Sequence, residues 1–483
     1  MRLLKLNNNI IDIDEQTAIG VTMQCYDVTD PGKAKFNYTN NFSIPLTSRN
    51  KRLINFAGNP QSNNANVYDF LTCDYWVGNR QFIKNGRAFI SKISDRVELT
   101  ANAKTDIWST FAETKFNDFI DSFIADILPT ALTPANTLPE LLTNENIVLS
   151  AYQGTITGET PINQYLTYLG VKGGHINLSI KRIFEYIETK YNVNFNVNTA
   201  IDNNAFSDTL ILSSFVPCPN IAVGVTSETK YYFYSDKTTA FTGLDVSEAN
   251  ADKTLADFVK LVFQLFNIIC EQIGDGYECY RFDTLTDAQV IELNNFVGKH
   301  TFKPMIDNYN QYNYVKYTKL YEGANELHLS KQLICKNKNI DDSRKDVITV
   351  NAYVPVPINF SGNVYLDLAN AEAFNNFMIL TNVGSVSVTI HVVIADMDYT
   401  SVQNIGIANA INLAGEYNML NNIIEYPVTY EIKKYVNVVD INKMRHYARY
   451  KLTGYPGFYY LNKISGYNPA KSNEPVTLQF YKI

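Results

Sequence analysis

Two stretches of the chain place apolar residues at helical spacing and then change period. In residues 179–197 (SIKRIFEYIETKYNVNFNV), Ile180, Ile183, Phe184, Ile187 and Tyr191 fall on one helical face, with Ser179 where an N-cap belongs. Val193, Phe195 and Val197 then alternate, as in a half-buried strand. In residues 254–282 (TLADFVKLVFQLFNIICEQIGDGYECYRF), Thr254 is the candidate cap and Asp257 lies in the first turn, where a negative charge suits the helix N-terminus. Its stripe is Leu255, Phe258, Val259, Val262, Phe263 and Phe266, and a hairpin turning at Gly274-Asp275 comes next. The pattern therefore predicts a helix-to-strand unit twice. Both helical faces are aliphatic and aromatic and carry no catalytic side chain, which points to scaffold before enzyme.

The rest of the chain reads mainly as strands. Residues 1–115 form an N-terminal β-domain, a small barrel or sandwich, in which alternating runs at 20–26, 36–46 and 81–99 are divided by Asp30-Pro31-Gly32, Gly78-Asn79 and Asn85-Gly86. Asn-Gly between alternating segments predicts a hairpin that pairs residues 80–84 with 87–91. Residues 116–150 hold the end of a helical patch (111–128) and a connector broken by Pro129, Pro134 and Pro139. Residues 151–300 are an α+β region with the two units and strand-rich pieces at 209–215 and 230–234. Residues 301–483 form a C-terminal β-domain with strands at 309–321 and 385–394 and an inserted module at about 354–417. The fold class expected is α+β, predominantly β and multidomain. No repeat of roughly 20–50 residues is present, which disfavours solenoids, propellers and β-helices.

Composition sharpens this picture. At roughly 100–200 residues per domain, 483 residues make about three domains. Hydrophobic residues are 46% and charged residues 18%, so neutral polar groups must cover much of the surface. The 33 Tyr and 27 Phe favour strands and large contact surfaces, because Tyr joins an apolar ring to a polar tip. A net charge of −7 without a basic run leaves no footprint for a phosphate backbone, so no direct nucleic-acid partner is expected. No secretory signal and no stretch of ~18 apolar residues is found, so no transmembrane segment is expected. The six cysteines are scattered, as in a protein that keeps reduced thiols. Cys270 and Cys279 come opposite each other if the hairpin turns at Gly274-Asp275, and one step of register separates them.

No motif of recognised chemistry is complete. The histidines His175, His300, His328, His391 and His446 never stand at metal-ligand spacing from one another or from a cysteine pair. Asp396 and Asp398, and likewise Asp12, Asp14 and Glu15, lack the further acids of an EF-hand loop and read as turn residues. Gly298-Lys299-His300-Thr301 imitates the end of a phosphate loop, but His300 replaces the required hydroxyl residue and Leu293 the first glycine. There is no GxGxxG and no GxSxG. Trp76 and Trp108 fit core or interface roles better than sugar stacking. No catalytic, cofactor-binding or metal-ligating residue is singled out, no cofactor is expected, and the chain reads as a non-enzyme.

Taken in order, the pieces resemble the tail hub proteins of tailed bacteriophages, particularly those infecting Bacteroides-type hosts, including the crAss-like group. The N-terminal part is similar to their opening β-domain: Tyr26-Asp-Val-Thr-Asp-Pro-Gly-Lys33 leads to Ser43-Ile-Pro-Leu-Thr47, then Asn50 and Phe56, with the next element at residues 85–93 (NGRAFISKI). Residues 179–197 and 257–268 resemble the family's middle elements, and residues 457–464 with 475–483 its closing strands. The resemblance spans nearly the whole chain, its specificity lies in the order, and residues 354–417 match nothing in it. It implies a virion structural protein, made in the bacterial host cytoplasm, that pairs with copies of itself in a baseplate-type ring of six-fold or pseudo-six-fold symmetry. Such a ring connects the portal or tail tube to distal tail components and fibres through heterologous interfaces. The alternative is a receptor- or glycan-binding tail protein with residues 354–417 as an exposed lectin-like module.

Overall fold

The computed structural model describes residues 2–15, 17–28, 37–56, 59, 69–78, 80–102, 106–127, 147–152, 172–195, 209–212, 222–225, 229–232, 252–273, 276–304, 308–320, 329–354, 356–360, 363–367, 377–394, 397–469, 471 and 473–483. The fold is predominantly β with a smaller helical part, as the periodicities predict. The expected turn at Asp30-Pro31-Gly32 and the connector prolines Pro129, Pro134 and Pro139 lie outside the described residues.

The largest sheet joins strands from both ends of the chain. Its order is Phe296–Lys303, Thr429–Lys434, Val476–Lys482, Tyr459–Tyr467, Val21–Met23, Tyr38–Thr39, Arg96–Asn102, Arg80–Ile93, Leu71–Val77, Arg2–Leu6 and Asn9–Ile10. Phe42–Pro45 adds to Arg96–Asn102, and the parallel pair Val290–Leu293 and Arg449–Leu452 attaches through Tyr459–Tyr467. Leu71–Val77 and Arg96–Asn102 alternate buried with half-buried residues, so each presents one face to a core. Tyr459–Tyr467 differs, because Tyr459, Tyr460, Leu461 and Asn462 are all buried in succession. Tyr459 and Leu461 face the core inside the sheet, whereas Tyr460 belongs to a second core on the other face. A strand covered on both sides loses the polar half of its alternation.

The Asn85-Gly86 hairpin does not form. Residues 80–93 are one continuous strand, paired with Leu71–Val77 on one side and Arg96–Asn102 on the other, and the chain turns before Arg80 and after Ile93 instead. Asn-Gly marks an irregularity within it: Asn85 has φ +46°, its N–H donates to Asp74 Oδ1 at 2.7 Å, and the pairing register shifts between Cys73 and Tyr75. A Cβ on Gly86 would stand 2.3 Å from the Asn102 carbonyl oxygen and from Ile83 Cγ2, so backbone proximity requires glycine here. The left-handed Asn that suits a tight hairpin suits a bulge equally well.

The described helices are α1 Ser48–Leu53, α2 Asp106–Glu113, α3 Phe116–Ile127, α4 Ile180–Tyr191, α5 Leu255–Leu265, α6 Asn418–Glu425 and α7 Val438–Lys443. The predicted cap Thr254 opens α5, and Asp257 completes a capping box with it: Asp257 N–H donates to Thr254 Oγ1 at 3.2 Å and Thr254 N–H to Asp257 Oδ2 at 2.9 Å. Its buried face is Leu255, Phe258, Val259, Leu261, Val262 and Leu265, with Phe266 also buried at the C-cap. Phe263, placed in the stripe by periodicity, is only half-buried and reaches Phe184 and Trp108 at the rim. On α4, Ile180, Ile183, Phe184 and Ile187 are buried and Tyr191 is half-buried, as the spacing predicts. Both helices stop at an Asn in the left-handed region, Asn192 (φ +50°) and Asn267 (φ +50°). After Asn192 the Val193 N–H returns to the Glu188 carbonyl at 3.0 Å, closing a Schellman-type end.

Beyond these helix ends the two units diverge. After α5 the antiparallel hairpin Ile268–Ile273 and Gly276–Arg281 forms as predicted, with Cys270 opposite Cys279. After α4 the expected strand is absent over residues 193–195, and Val197 lies outside the described residues. Phe195 instead buries against Tyr277, Phe111 and Trp108, its N–H donates to Glu188 Oε1, and the Asn194 carbonyl accepts one bond from Tyr277 N–H. The strand partner of α4 comes before it, as Lys172–Ser179. That strand closes a barrel with Thr209–Leu212, Met378–Ile394, Met397–Ala410 and Ile147–Tyr152. The second core gathers α2 to α6, the hairpin and the three-stranded sheet of Tyr312–Leu320, Lys331–Ile334 and Arg344–Val354 against the outer face of the C-terminal strands.

Candidate functional site

The two cores meet along a seam where buried polar residues collect. Val28 N–H donates to Asn462 Oδ1 at 3.1 Å and Asn462 Nδ2 to Gln479 Oε1 at 2.8 Å, fixing the segment after Val21–Met23 against the C-terminal strands. Tyr26 packs on Phe282 with centroids 4.6 Å apart, and Phe282 meets Tyr460 edge-on at 5.0 Å. The Tyr309 hydroxyl donates to the Val28 carbonyl, so four distant parts of the sequence converge.

Beside this contact lies a cavity of about 30 Å³, lined among others by Cys25, Arg80, Cys270, Glu271, Arg445 and His446. That volume is enough to hold an ordered water molecule. The hairpin after α5 supplies Glu271, and the loop after α7 wraps over it: His446 N–H donates to Glu271 Oε1 at 3.1 Å and Tyr447 N–H to Oε2 at 3.4 Å. Tyr447 stacks on Tyr280 at 3.8 Å and shares a hydroxyl contact of 2.6 Å with Thr284. Arg445 is held at both backbone groups by the Tyr450 hydroxyl, which accepts from its N–H at 2.9 Å and donates to its carbonyl at 2.6 Å. From the sheet, the Arg80 guanidinium donates to the Ile441 carbonyl and lies 3.9 Å from Met23 Sδ.

The electrostatics follow from burial. Burial lowers the His446 pKa below 6.5, with the Glu271 charge opposing and Arg80 adding to the shift. His446 Nδ1 faces the Leu461 carbonyl at 2.9 Å and therefore carries the proton in the neutral ring, while Nε2 has no hydrogen-bond partner among the described residues. Burial also lowers the Arg80 pKa, and Glu271 opposes it. The Cys25 thiol is pushed well above its ordinary value by burial and then by Glu271. Glu271 is thus the anion that offsets the burial of Arg80 and anchors the loop. The arrangement builds a polar joint between layers.

The structure disperses the residues that the sequence offered as candidates. Asp12 takes the Thr47 hydroxyl at 2.7 Å, and Asp14 pairs with Arg96 through two oxygens at 2.8 and 2.9 Å. The Arg96 bond holds the Asp14 carboxyl well below its ordinary pKa. Gly298 to Thr301 lie in the edge strand Phe296–Lys303, where Gly298 at φ +70° sits in a register shift and His300 is exposed beside Tyr455. His175 and His391 lie in barrel strands, Asp398 pairs opposite Val393, and His328 and Asp396 lie outside the described residues. Trp108 is the hub of an aromatic cluster with Phe111, Phe195, Phe263 and Tyr277, and Trp76 carries Lys5 over its ring at 5.0 Å. Among the described residues no group of three or more His, Cys, Asp or Glu could hold a metal ion, and no helix is long and apolar enough to cross a membrane. The seam residues Glu271, Arg80 and Arg445 are not marked by any motif. The signal present in the sequence is Glu271 itself, in phase with buried Ile269 on one face of the predicted strand.

No family model matches the chain, and no curated protein matches it. Among solved structures, the 43 kDa tail protein of prophage MuSo2 from Shewanella oneidensis is similar with a TM-score of 0.39 and 7% identity, over 100% of this chain and 97% of that one. The prophage tail protein gp18 from Listeria monocytogenes EGD-e is similar with a TM-score of 0.37 and 6% identity, over 99% of this chain and 94% of that one.

Proposed function

We propose that the chain is a non-catalytic structural component of a bacteriophage tail, a hub or adaptor that assembles with copies of itself into a ring and joins the portal or tail tube to distal components. The observation that carries this reading is the order of hub-like elements along nearly the whole sequence. The elements at either end of that order, around residues 43–47, 85–93, 457–464 and 475–483, lie in or beside strands of the same sheet, and the middle element at 257–268 leads into the hairpin that carries Glu271 at the seam. A ring needs heterologous contacts. The sheet ends in a strand suited to making one: Phe296–Lys303 pairs only with Thr429–Lys434 among the described strands, and residues 298–303 are exposed, Phe302 to 57%. Lys299 and Lys303 on that edge are the kind of charge that keeps an open edge from pairing indiscriminately.

Electron microscopy of the purified full chain together with its native mass tests the proposal. Closed rings of one defined order support it, as does detection of the protein in virions. A chain that stays monomeric at all concentrations and is absent from virions overturns it, and a monomer that binds glycans favours the receptor-binding alternative.

A further inference from the structure

The hairpin after α5 carries a pair of thiols that a role in the tail does not use. Cys270 and Cys279 are directly opposite in the antiparallel register, and both are free. The type of site they occupy is set by the backbone bonds around them. Phe282 N–H donates to the Asn267 carbonyl at 2.8 Å, which makes 267/282 a hydrogen-bonded pair. Alternation then makes 269/280 and 271/278 hydrogen-bonded and leaves 268/281, 270/279 and 272/277 as non-hydrogen-bonded pairs. The Tyr277 N–H confirms the phase by pointing out of the hairpin to the Asn194 carbonyl at 2.8 Å. Opposed residues at such sites have Cα atoms roughly 4.5 Å apart, within the range of about 4.4–6.8 Å that a disulfide spans.

We propose that Cys270 and Cys279 are a thiol–disulfide couple that a small-molecule disulfide of the glutathione class oxidises and small thiols reduce. Cys270 is half-buried and forms part of the seam cavity wall, whereas Cys279 is fully buried. Burial, and then the neighbouring Cys270, pushes the Cys279 thiol well above its ordinary pKa, so Cys270 reacts first. Its thiolate attacks one sulfur of the small disulfide, an S–S bond forms, and one small thiolate leaves. Cys279 loses its proton, attacks Cys270 Sγ and displaces the second small thiolate. Two cysteine thiols give up two electrons and two protons, and one small disulfide becomes two small thiols. Cβ atoms across a sheet pair are roughly 4.5–5.5 Å apart, and a disulfide brings them to about 3.5–4.5 Å, so closure draws the strands together. Strain of that kind makes a disulfide easier to reduce.

The test is to equilibrate the purified full chain in buffers of graded reduced-to-oxidised glutathione ratio and map its disulfides by non-reducing digestion and mass spectrometry. The expected result is loss of two hydrogens through a Cys270–Cys279 link that forms before any other and reverses with excess thiol. Cys279→Ser should instead trap glutathione on Cys270, and Cys270→Ser should leave position 279 unmodified. A first link between Cys270 and Cys25, the other thiol of the cavity, overturns the proposal. So does glutathione that stays on Cys270 in the unsubstituted chain, or no reaction of either thiol while the unfolded chain reacts under the same conditions.

Discussion

Phe258 is the side chain whose removal should damage the helical core most. It is fully buried on α5 and its ring meets Phe116 of α3 at 5.1 Å, Phe184 of α4 at 5.9 Å and Phe377 at 6.1 Å. A buried aromatic removes roughly 150–250 Å² from water, and at about 25 cal/mol per Å² that is on the order of 4–6 kcal/mol for the whole side chain. Phe258→Ala keeps Cβ and leaves a cavity that the surrounding elements must collapse to fill, so a loss of about 3–5 kcal/mol is expected. Phe258→Leu keeps most of the volume and should cost under ~1.5 kcal/mol. Phe263→Ala, further along α5 and half-buried at the rim, should cost clearly less than Phe258→Ala.

Urea unfolding followed by tryptophan fluorescence reads this directly, because the two tryptophans report on different parts of the molecule. Trp108 lies among Phe111, Phe195, Phe263 and Tyr277 in the helical core, and Trp76 lies in Leu71–Val77 of the large sheet. In a Trp76→Phe background the midpoint of the Trp108 transition should fall with Phe258→Ala while its slope stays unchanged. In a Trp108→Phe background the Trp76 transition should follow it downwards, because Tyr459–Tyr467 is a shared wall of both cores. A cost below ~1 kcal/mol for Phe258→Ala, or an equal cost for Phe263→Ala, would refute the assignment of the α5 face.

Gly86→Ala should destabilise the large sheet by several kcal/mol, more than the roughly 1–3 kcal/mol of ordinary overpacking, since the new Cβ meets the Asn102 backbone carbonyl at 2.3 Å; thermal melts of the variant check this, and a Tm within a degree or so of the parent contradicts it. His446 is buried with its pKa lowered, so at acid pH the unfolded chain takes up its proton first. Its contribution to stability is therefore complete above about pH 6.5 and is lost as pH falls from there towards the lower folded pKa, with a slope of at most about 1.4 kcal/mol per pH unit. His446→Asn keeps a donor for the Leu461 carbonyl and removes the titration, so the stability profile below about pH 6.5 should flatten. An unchanged slope in the variant would assign the acid dependence to other groups.

The parts of the fold legible in the sequence are those fixed by neighbours a few residues away. The α5 capping box needs only Thr254 and Asp257, and the α4 and α5 stripes need only a period of about 3.6 residues. The opposition of Cys270 and Cys279 depends only on where one turn falls. Asn85-Gly86 misled because positive φ serves a hairpin and a bulge alike, and the deciding fact lies elsewhere: Arg80–Ile93 has partners along both edges that keep it extended through the irregularity. Pairing between Val21–Met23 and Tyr459–Tyr467 joins residues more than four hundred positions apart, and nothing local distinguishes those edges from others. The seam was hidden for the same reason. Glu271 is interpretable only once the loop at His446 and the strand at Arg80 stand beside it.

That seam determines how the two cores sit against each other. Had the sheet and the helical core met through apolar side chains alone, sliding by one residue would exchange one set of contacts for a similar set. The polar pairs do not permit this. A shift of the His446 loop leaves the Glu271 carboxylate buried without its two N–H donors, and a shift of the segment at Val28 leaves Asn462 without an acceptor role and Val28 N–H without a partner. Each orphaned buried group costs on the order of 1–3 kcal/mol, and more where it is charged. Such groups discriminate between registers even where their net contribution to stability is small. The layers are therefore held in one relative position, with the exposed edge Phe296–Lys303 joined through Thr429–Lys434 and Val476–Lys482 to the doubly buried strand Tyr459–Tyr467, which borders both cores.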